Sequence, residues 1–136
     1  RYCIQMNNLT KLEKKVLEML LDGDDAVLAS LRAQLDLATV EGREVSGAGF
    51  FTNLLVPQTC ETSTINSRSK FKIGDVHANI EGLDFGAGFL LYVENGVIKM
   101  LEAYSYDEPL PVTTDSFELC YVNGKRDLEK LRSSWC

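Results

Sequence analysis

The sequence predicts a single α+β domain in which an N-terminal helical hairpin packs on one face of a mainly antiparallel sheet of five to six strands. Apolar residues recur at helical spacing up to about residue 37 and at alternate positions after Thr39. The later segments follow one another without intervening helices, an order typical of antiparallel sheets with their helices on one side. A chain of 136 residues with 45% hydrophobic content can bury a core without disulfide or metal staples.

Two helices are predicted between residues 9 and 37. The apolar residues that define them are Leu12, Val16, Met19 and Leu20 in the first helix and Val27, Leu28, Leu31 and Leu35 in the second. We expect Asn8 or Thr10 to cap the first helix and Gly23 to end it in a left-handed conformation. Asp24 is expected to cap the second helix, with Asp25 in its first turn. So short a connection makes the two helices a hairpin of neighbours.

A sheet is predicted over residues 39–122. Its strands are expected at residues 39–46, 49–56, 71–80, 88–94, 97–106 and 117–122. Asn95-Gly96 predicts a tight hairpin turn, because a type I′ turn needs positive φ at both central positions. The polar run at residues 57–70 is interpreted as a surface loop. A short C-terminal helix is expected within residues 125–133, which completes one domain over residues 1–136.

The four cysteines are Cys3, Cys60, Cys120 and Cys136, and none belongs to a CxxC pair. Structural zinc sites need paired ligands at close spacing, so no metal site is predicted. We predict four free thiols, with a Cys3–Cys136 bridge as the alternative because chain ends often lie close together. Cys120 lies in an apolar strand and is assigned a packing role. The predicted free thiols favour a cytoplasmic protein, and the sequence shows neither an 18-residue apolar stretch nor a secretory signal pattern.

His77 is the one candidate for acid–base chemistry. Strand alternation places Asp75 and Asn79 on its face of the sheet, and Glu44 is expected to lie near it on another strand. A carboxylate beside an imidazole can orient that imidazole as a general base. These residues therefore define the alternative function, a small hydrolase or ligand-binding protein. An ordinary solvent-facing histidine is the favoured interpretation, because the sequence shows no nucleophile.

Two glycine motifs repeat along the chain. Gly47-Ala48-Gly49-Phe50 and Gly86-Ala87-Gly88-Phe89 each precede a predicted strand. A phosphate cradle uses a helix N-terminus, and neither a GxGxxG pattern nor a P-loop lysine motif is present. Both motifs are therefore interpreted as entries from a turn into a strand.

Negative charge is concentrated in one part of the chain. Residues 75–118 hold nine acidic residues and one basic residue, a net charge of −8, whereas the whole chain carries −6 and the remainder therefore +2. Tyr92, Tyr104 and Tyr106 are interleaved with these carboxylates. Acidic residues with tyrosines suit a surface that meets a basic partner, since charge speeds encounter and aromatic rings supply anchoring area. The alternative is an ordinary solvated sheet face that happens to be acidic.

Three segments carry a resemblance to known proteins. They are the helical start Leu9 to Leu31, the segment Arg43-Glu44-Val45-Ser46-Gly47-Ala48-Gly49-Phe50-Phe51-Thr52, and the stretch from Gly74-Asp75-Val76-His77-Ala78 through Gly86-Ala87-Gly88-Phe89 to Leu101-Glu102-Ala103-Tyr104-Ser105-Tyr106. In these segments the chain resembles a group of small bacterial single-domain proteins that have no established activity. The resemblance implies a bacterial origin and a single domain, and it implies no catalytic residue.

The sequence therefore predicts a protein-binding module and not an enzyme. In its sharpest form this is a bacterial immunity or antitoxin-type protein whose acidic face covers the basic active site of a nuclease toxin. The partner-binding residues are expected to be Glu81, Asp84, Glu94, Glu102, Tyr104, Tyr106, Asp107 and Glu108. Neither a cofactor nor a membrane partner is expected, and nucleic acid is disfavoured because its phosphates would be repelled. The chain is expected to be a monomer or a homodimer, and pairing of exposed strand edges is a third hypothesis.

Overall fold

The computed structural model describes residues 8–57, 70–106, 110, 111, 114 and 116–135. Its helices are α1 (Lys11–Leu20), α2 (Ala26–Leu35) and α3 (Leu128–Ser133). Its strands are β1 (Thr39–Val45), β2 (Gly49–Leu55), β3 (Lys70–Ile73), β4 (Val76–Ile80), β5 (Ala87–Glu94), β6 (Val97–Ser105) and β7 (Phe117–Tyr121). The predicted surface loop at residues 57–70 lies outside the described residues apart from its two ends. None of the helices in the described residues is long and apolar enough to cross a membrane.

The N-termini of α1 and α2 are each capped by a side chain. Thr10 and Glu13 form a reciprocal capping box, in which each side chain accepts a hydrogen bond from the other residue's backbone N–H, at 3.1 and 2.9 Å. The predicted cap of α2 is wrong by one residue. Asp25, and not Asp24, accepts the first-turn N–H groups, at 2.8 and 3.1 Å. Gly23 has the expected positive φ, 139°, but it does not end α1, because the C-cap of that helix is Leu21 and Gly23 lies in the connection.

All described strands pair antiparallel in one sheet of order β1-β2-β6-β5-β4-β7, which confirms the predicted architecture. The seventh strand, β3, also pairs antiparallel with β5 and lies off that path. The single strand predicted at residues 71–80 is wrong. It is divided at Gly74 and Asp75, so that β3 pairs with the end of β5 and β4 with its start. Gly74 lies so close to Leu90 that a Cβ there would be 2.4 Å from the Leu90 side chain.

Arg126 binds the chain at the junction between β3 and β4. Its guanidinium donates two hydrogen bonds to the Asp75 carboxylate, at 2.8 and 2.9 Å. It also donates to the backbone carbonyls of Leu20 and Asp22, at 2.6 and 2.5 Å. These carbonyls lie at the C-terminal end of α1, where a cation satisfies groups that the helix leaves unpaired. Arg126 therefore holds the segment before α3, the β3–β4 junction and α1 together.

The two faces of the sheet differ in what they contact. The inner face packs against α1 and α2, and strand alternation directs apolar side chains toward them. Its buried strand side chains include Phe50, Leu54, Phe71, Ile73, Val76, Ala78, Phe89, Leu91, Val93, Ile98, Leu101 and Ala103. Beyond α3, Trp135 extends this core by packing its ring on Phe71, with centroids 5.0 Å apart. The helices thus cover one face of the sheet, as predicted.

Two buried polar contacts fix the helices to the inner face. Gln34 of α2 donates to the carbonyl of Gly96 at 2.7 Å and accepts from the N–H of Ile98 at 3.0 Å. This clamps the β5–β6 hairpin, whose predicted turn is confirmed by the positive φ of Asn95 and Gly96, 55° and 77°. Glu13 of α1 provides the second contact, because its carboxylate accepts hydrogen bonds from Arg43 of β1 and Thr52 of β2.

Candidate functional site

The outer face of the sheet is the face opposite the three helices. Its side chains alternate with those of the core and come from every strand. They are Glu44 of β1, Gly49, Phe51 and Asn53 of β2, Lys70 and Lys72 of β3, His77 and Asn79 of β4, Gly88, Leu90, Tyr92 and Glu94 of β5, Met100, Glu102 and Tyr104 of β6, and Glu118 and Cys120 of β7. Aromatic and aliphatic side chains therefore occupy the centre of this face, beside its polar residues.

Glu102 lies in the middle of this face. Its partners in the strand register are Phe51 on β2 and Leu90 on β5. The hydroxyl of Tyr92 donates a hydrogen bond to Oε1 of Glu102 at 2.7 Å. This bond, with burial and the charge of Glu102, raises the pKa of Tyr92 to about 12. Tyr92 therefore remains a neutral donor at any physiological pH and fixes one oxygen of the carboxylate.

Tyr104 lies between two glycines of the neighbouring strands. Gly49 on β2 and Gly88 on β5 are both its register partners. The Tyr104 ring covers Gly88, because a Cβ at Gly88 would be 2.5 Å from the ring carbon Cζ and from the hydroxyl oxygen. The repeated glycine motif thus has a structural role beyond entry into a strand. Each copy places a glycine beside Tyr104 on the outer face and a phenylalanine opposite Ala103 on the inner face.

Two exposed aromatic side chains lie at the end of the sheet that holds Tyr104, and one of them contacts Tyr104. Tyr106 contacts the Tyr104 ring edge-on, with centroids 5.8 Å apart and planes at 89°. Burial raises the pKa of Tyr104, and Tyr106 and Glu102 add to that increase. Tyr106 is 57% exposed, and Phe85, which precedes β5 at the same end, is 61% exposed. Single exposed hydrophobic residues are common on protein surfaces, whereas several together are typical of an interaction site.

The three residues of the hydrolase hypothesis do not assemble into a site. His77 packs over Gly86, since a Cβ there would be 2.8 Å from its Nε2. Asp75 is bound by Arg126 and does not orient the imidazole. The expected proximity of Glu44 to His77 is wrong. Glu44 is on β1, four strands from β4 in the sheet order, which is about 19 Å at ordinary strand spacing.

Cys120 is exposed on the outer face of the edge strand β7, as a free thiol. The packing role predicted for it is wrong, because its neighbours along the strand are the ones that pack against the core. The other three cysteines, and the proposed Cys3–Cys136 bridge, lie outside the described residues. No group of three or more His, Cys, Asp or Glu side chains within the described ranges can hold a metal ion.

The structure distributes the acidic residues unevenly over the outer face. Glu81 and Asp84 are exposed in the turn before β5, whereas Glu94 is at its other end, about 24 Å away along the strand. Lys70 and Lys72 of β3 pair with Glu94 and Tyr92 and reduce the negative charge at that end. Lys72 also lies over the Tyr92 ring, 5.7 Å from its centroid. Asp107, Glu108 and Asp115 lie outside the described residues.

Several outer-face residues were missed by reasoning from the sequence. They are Phe51, Leu90 and Met100, and the two lysines of β3. The sequence shows the alternation within each strand. The contacts between strands on the outer face depend on strand order, which brings β2, β6 and β5 together from distant parts of the chain. A comparison with models of protein families, with curated proteins and with solved structures found no match. The geometry of the outer face is therefore the basis for a functional assignment.

Proposed function

We propose that the protein is a binding module that receives a basic protein partner on the outer face of its sheet. The observation that carries this proposal is the surrounding of one carboxylate, Glu102, by the apolar and aromatic side chains of Phe51, Leu90, Tyr92 and Tyr104. Protein interfaces commonly combine an apolar, aromatic centre with charges that select the partner. The three helices leave this face unoccupied while they cover the other.

The end of the sheet with Tyr106 and Phe85 supports the same proposal. Interface energy concentrates in a few aromatic residues that become fully buried on association. Tyr106 already contacts Tyr104, so it is partly ordered before a partner arrives. Glu81 and Asp84 are exposed at the same end and supply negative charge around these rings. A partner with a basic rim and an apolar centre would fit this arrangement.

The finer form of the proposal is an immunity or antitoxin-type protein. A nuclease active site carries cations that bind phosphates, and a surface of carboxylates and tyrosines can occupy such a site in place of the substrate. The chain's net charge of −6 favours rapid encounter with a basic protein. The hydrolase alternative receives no comparable support, because Glu44 is four strands from His77 and Asp75 is bound by Arg126.

The experiment compares two exposed hydrophobic residues on different surfaces. Partners are captured from the source cells with the wild-type protein, and their binding kinetics are then measured with Tyr106→Ala and Leu37→Ala. Leu37 is 52% exposed, similar to Tyr106, and follows α2 on the helical side of the molecule. We expect Tyr106→Ala to raise the dissociation rate about tenfold or more, as loss of an interface anchor does. Equal effects of the two variants, or failure to recover any basic protein, would refute the proposal.

A further inference from the structure

The carboxylate of Glu102 has unused hydrogen-bonding capacity. Tyr92 donates to Oε1, and in the described part of the chain no donor reaches the other oxygen. An ionised carboxylate has about four acceptor positions. Its immediate register neighbours, Phe51 and Leu90, have no polar side-chain atoms to offer. The charge is therefore held in place, half-buried, with its remaining acceptor positions open toward the outer surface.

No cation among the described residues forms an ion pair with this carboxylate. Lys72 of β3 lies on the same face, with its ammonium over the Tyr92 ring, 5.7 Å from the ring centroid. The ion pairs among the described residues involve Glu13, Asp75 and Asp25, and none includes Glu102. A half-buried charge without a counter-ion attracts one from outside, because apolar surroundings weaken the screening by water.

We infer that Glu102 is the binding site for the guanidinium group of an arginine side chain of the partner. This inference rests on the proposed function and specifies which group of the partner is recognised. Tyr92 holds the carboxylate in one orientation, and the open oxygen and remaining lone pairs accept N–H donors from the guanidinium. Phe51 is the register partner of Glu102 on β2, and Tyr104 is two residues further along β6 on the same face. A planar cation bound at Glu102 can stack on either aromatic ring.

Arginine fits this site better than lysine. Its guanidinium is planar, is weakly hydrated and donates several hydrogen bonds in a fixed geometry, so it loses less on entering apolar surroundings. A lysine ammonium is more strongly hydrated and has no face to stack on the rings. Arginine is also among the residues that most often dominate interface energies, together with tyrosine and tryptophan.

A small-molecule probe tests the inference without knowledge of the partner. The probe is N-acetyl-arginine N-methylamide, and its neutral control is the citrulline analogue of the same shape. Both are titrated at low salt into labelled wild-type protein and into Glu102→Gln, with Glu118→Gln as the matched outer-face control on edge strand β7. We expect the arginine compound to shift the NMR signals around Glu102. Its affinity should fall about tenfold or more in Glu102→Gln and remain unchanged in Glu118→Gln.

A further variant separates loss of the charge from loss of the Tyr92 contact. Tyr92→Phe keeps the carboxylate and removes only the hydroxyl, so it should retain most of the affinity for the arginine compound. Equal shifts with the citrulline compound, or unchanged arginine binding by a folded Glu102→Gln protein, would overturn the inference.

The two proposals fail in different ways. If binding of the captured partner is weakened by Tyr106→Ala but is as tight to Glu102→Gln as to wild type, the arginine-binding site at Glu102 is refuted and the proposed binding face stands. If the arginine compound binds at Glu102 but no basic protein is recovered, the proposed function fails and the cation site stands.

Discussion

Glu13 and Glu102 are the same residue type on opposite faces of one sheet, and their surroundings differ completely. Glu13 has no exposed surface and receives Arg43 at 2.6 and 2.9 Å, Thr52 at 2.5 Å and the N–H of Thr10 at 2.9 Å. Glu102 is half-buried and receives one hydroxyl, from Tyr92. The carboxylate on the inner face is saturated by donors of its own chain, whereas the one on the outer face is not.

The comparison separates a structural charge from a charge suited to recognition. Burial alone would raise the pKa of Glu13, but hydrogen bonds from Arg43, Thr52 and Thr10 outweigh it and lower the pKa below the ordinary value of 4.5. The same pairing raises the pKa of Arg43. Glu13 joins α1 to β1 and β2, so its role is to position the helix on the sheet. Glu102 joins no helix to the sheet, and its position on the open face needs a different explanation.

The largest expected effect comes from the same substitution made on each face. Glu13→Gln removes the partner of Arg43 within the core and should lower the free energy of unfolding by about 3 kcal/mol. Glu102→Gln should lower it by less than about 1 kcal/mol, because only one hydrogen bond at a half-buried position is altered. Urea unfolding of both variants measures this difference. Similar decreases in the free energy of unfolding of the two variants would contradict the distinction between a structural carboxylate on the inner face and a recognition carboxylate on the outer face.

The pH dependence of stability sharpens the same comparison. The folded-state pKa of Glu13 is lowered, so its contribution is fully present above the ordinary value of 4.5 and is lost as the pH falls through the lower folded-state value. The stability advantage of wild type over Glu13→Gln should therefore shrink steadily below pH 4.5. Unfolding free energies at a series of pH values test this, and an advantage that stayed constant down to pH 2 would contradict it.

A glycine substitution tests how the outer-face aromatic side chains are held. In Gly88→Ala the new Cβ would be 2.5 Å from the Tyr104 ring, so the ring must move. We expect a loss of about 1–2 kcal/mol, typical of overpacking, and a changed Tyr104 NMR signal. Gly42→Ala on β1 is the control, since no atom lies within 4 Å of its added Cβ. Equal stability of both variants would show that Tyr104 does not rest on Gly88.

The smallest effect concerns a single titration on the outer face. With Glu102 present, the pKa of Tyr92 is about 12, and in Glu102→Gln it should fall toward the ordinary value of 10.0. NMR of ring-labelled tyrosines follows this titration directly. An unchanged value would mean that the hydrogen bond from Tyr92 to Glu102 is absent in solution.

Local chemistry made much of the fold predictable. Helix periodicity, the Thr10 cap and the Asn95-Gly96 turn depend on neighbouring residues alone, and the structure confirms all three. The division of residues 71–80 was not predictable in this way, because Asp75 at the junction is bound by Arg126, 51 residues further along the chain. Strand order was equally inaccessible.

The candidate site was predictable only in part. Tyr104 and Glu102 were identified because tyrosines alternate with carboxylates along one strand. Phe51 and Leu90 were missed because each reaches Glu102 from a different strand, through long-range pairing. Counting charge along the chain overestimated the acidity of the face, since Lys70 and Lys72 come from outside the acidic segment and lie beside it in the sheet.

The most direct test of the central claim uses tyrosine rings as reporters on both faces. Tyr92, Tyr104 and Tyr106 lie on the outer face, whereas Tyr121 of β7 packs toward the helices and donates to the carbonyl of Met19 at 2.7 Å. Ring-labelled protein is titrated with the captured basic partner and observed by NMR. The proposed binding face predicts large shifts for the three outer tyrosines and none for Tyr121. Shifts confined to Tyr121, with the outer tyrosines unchanged, would contradict it.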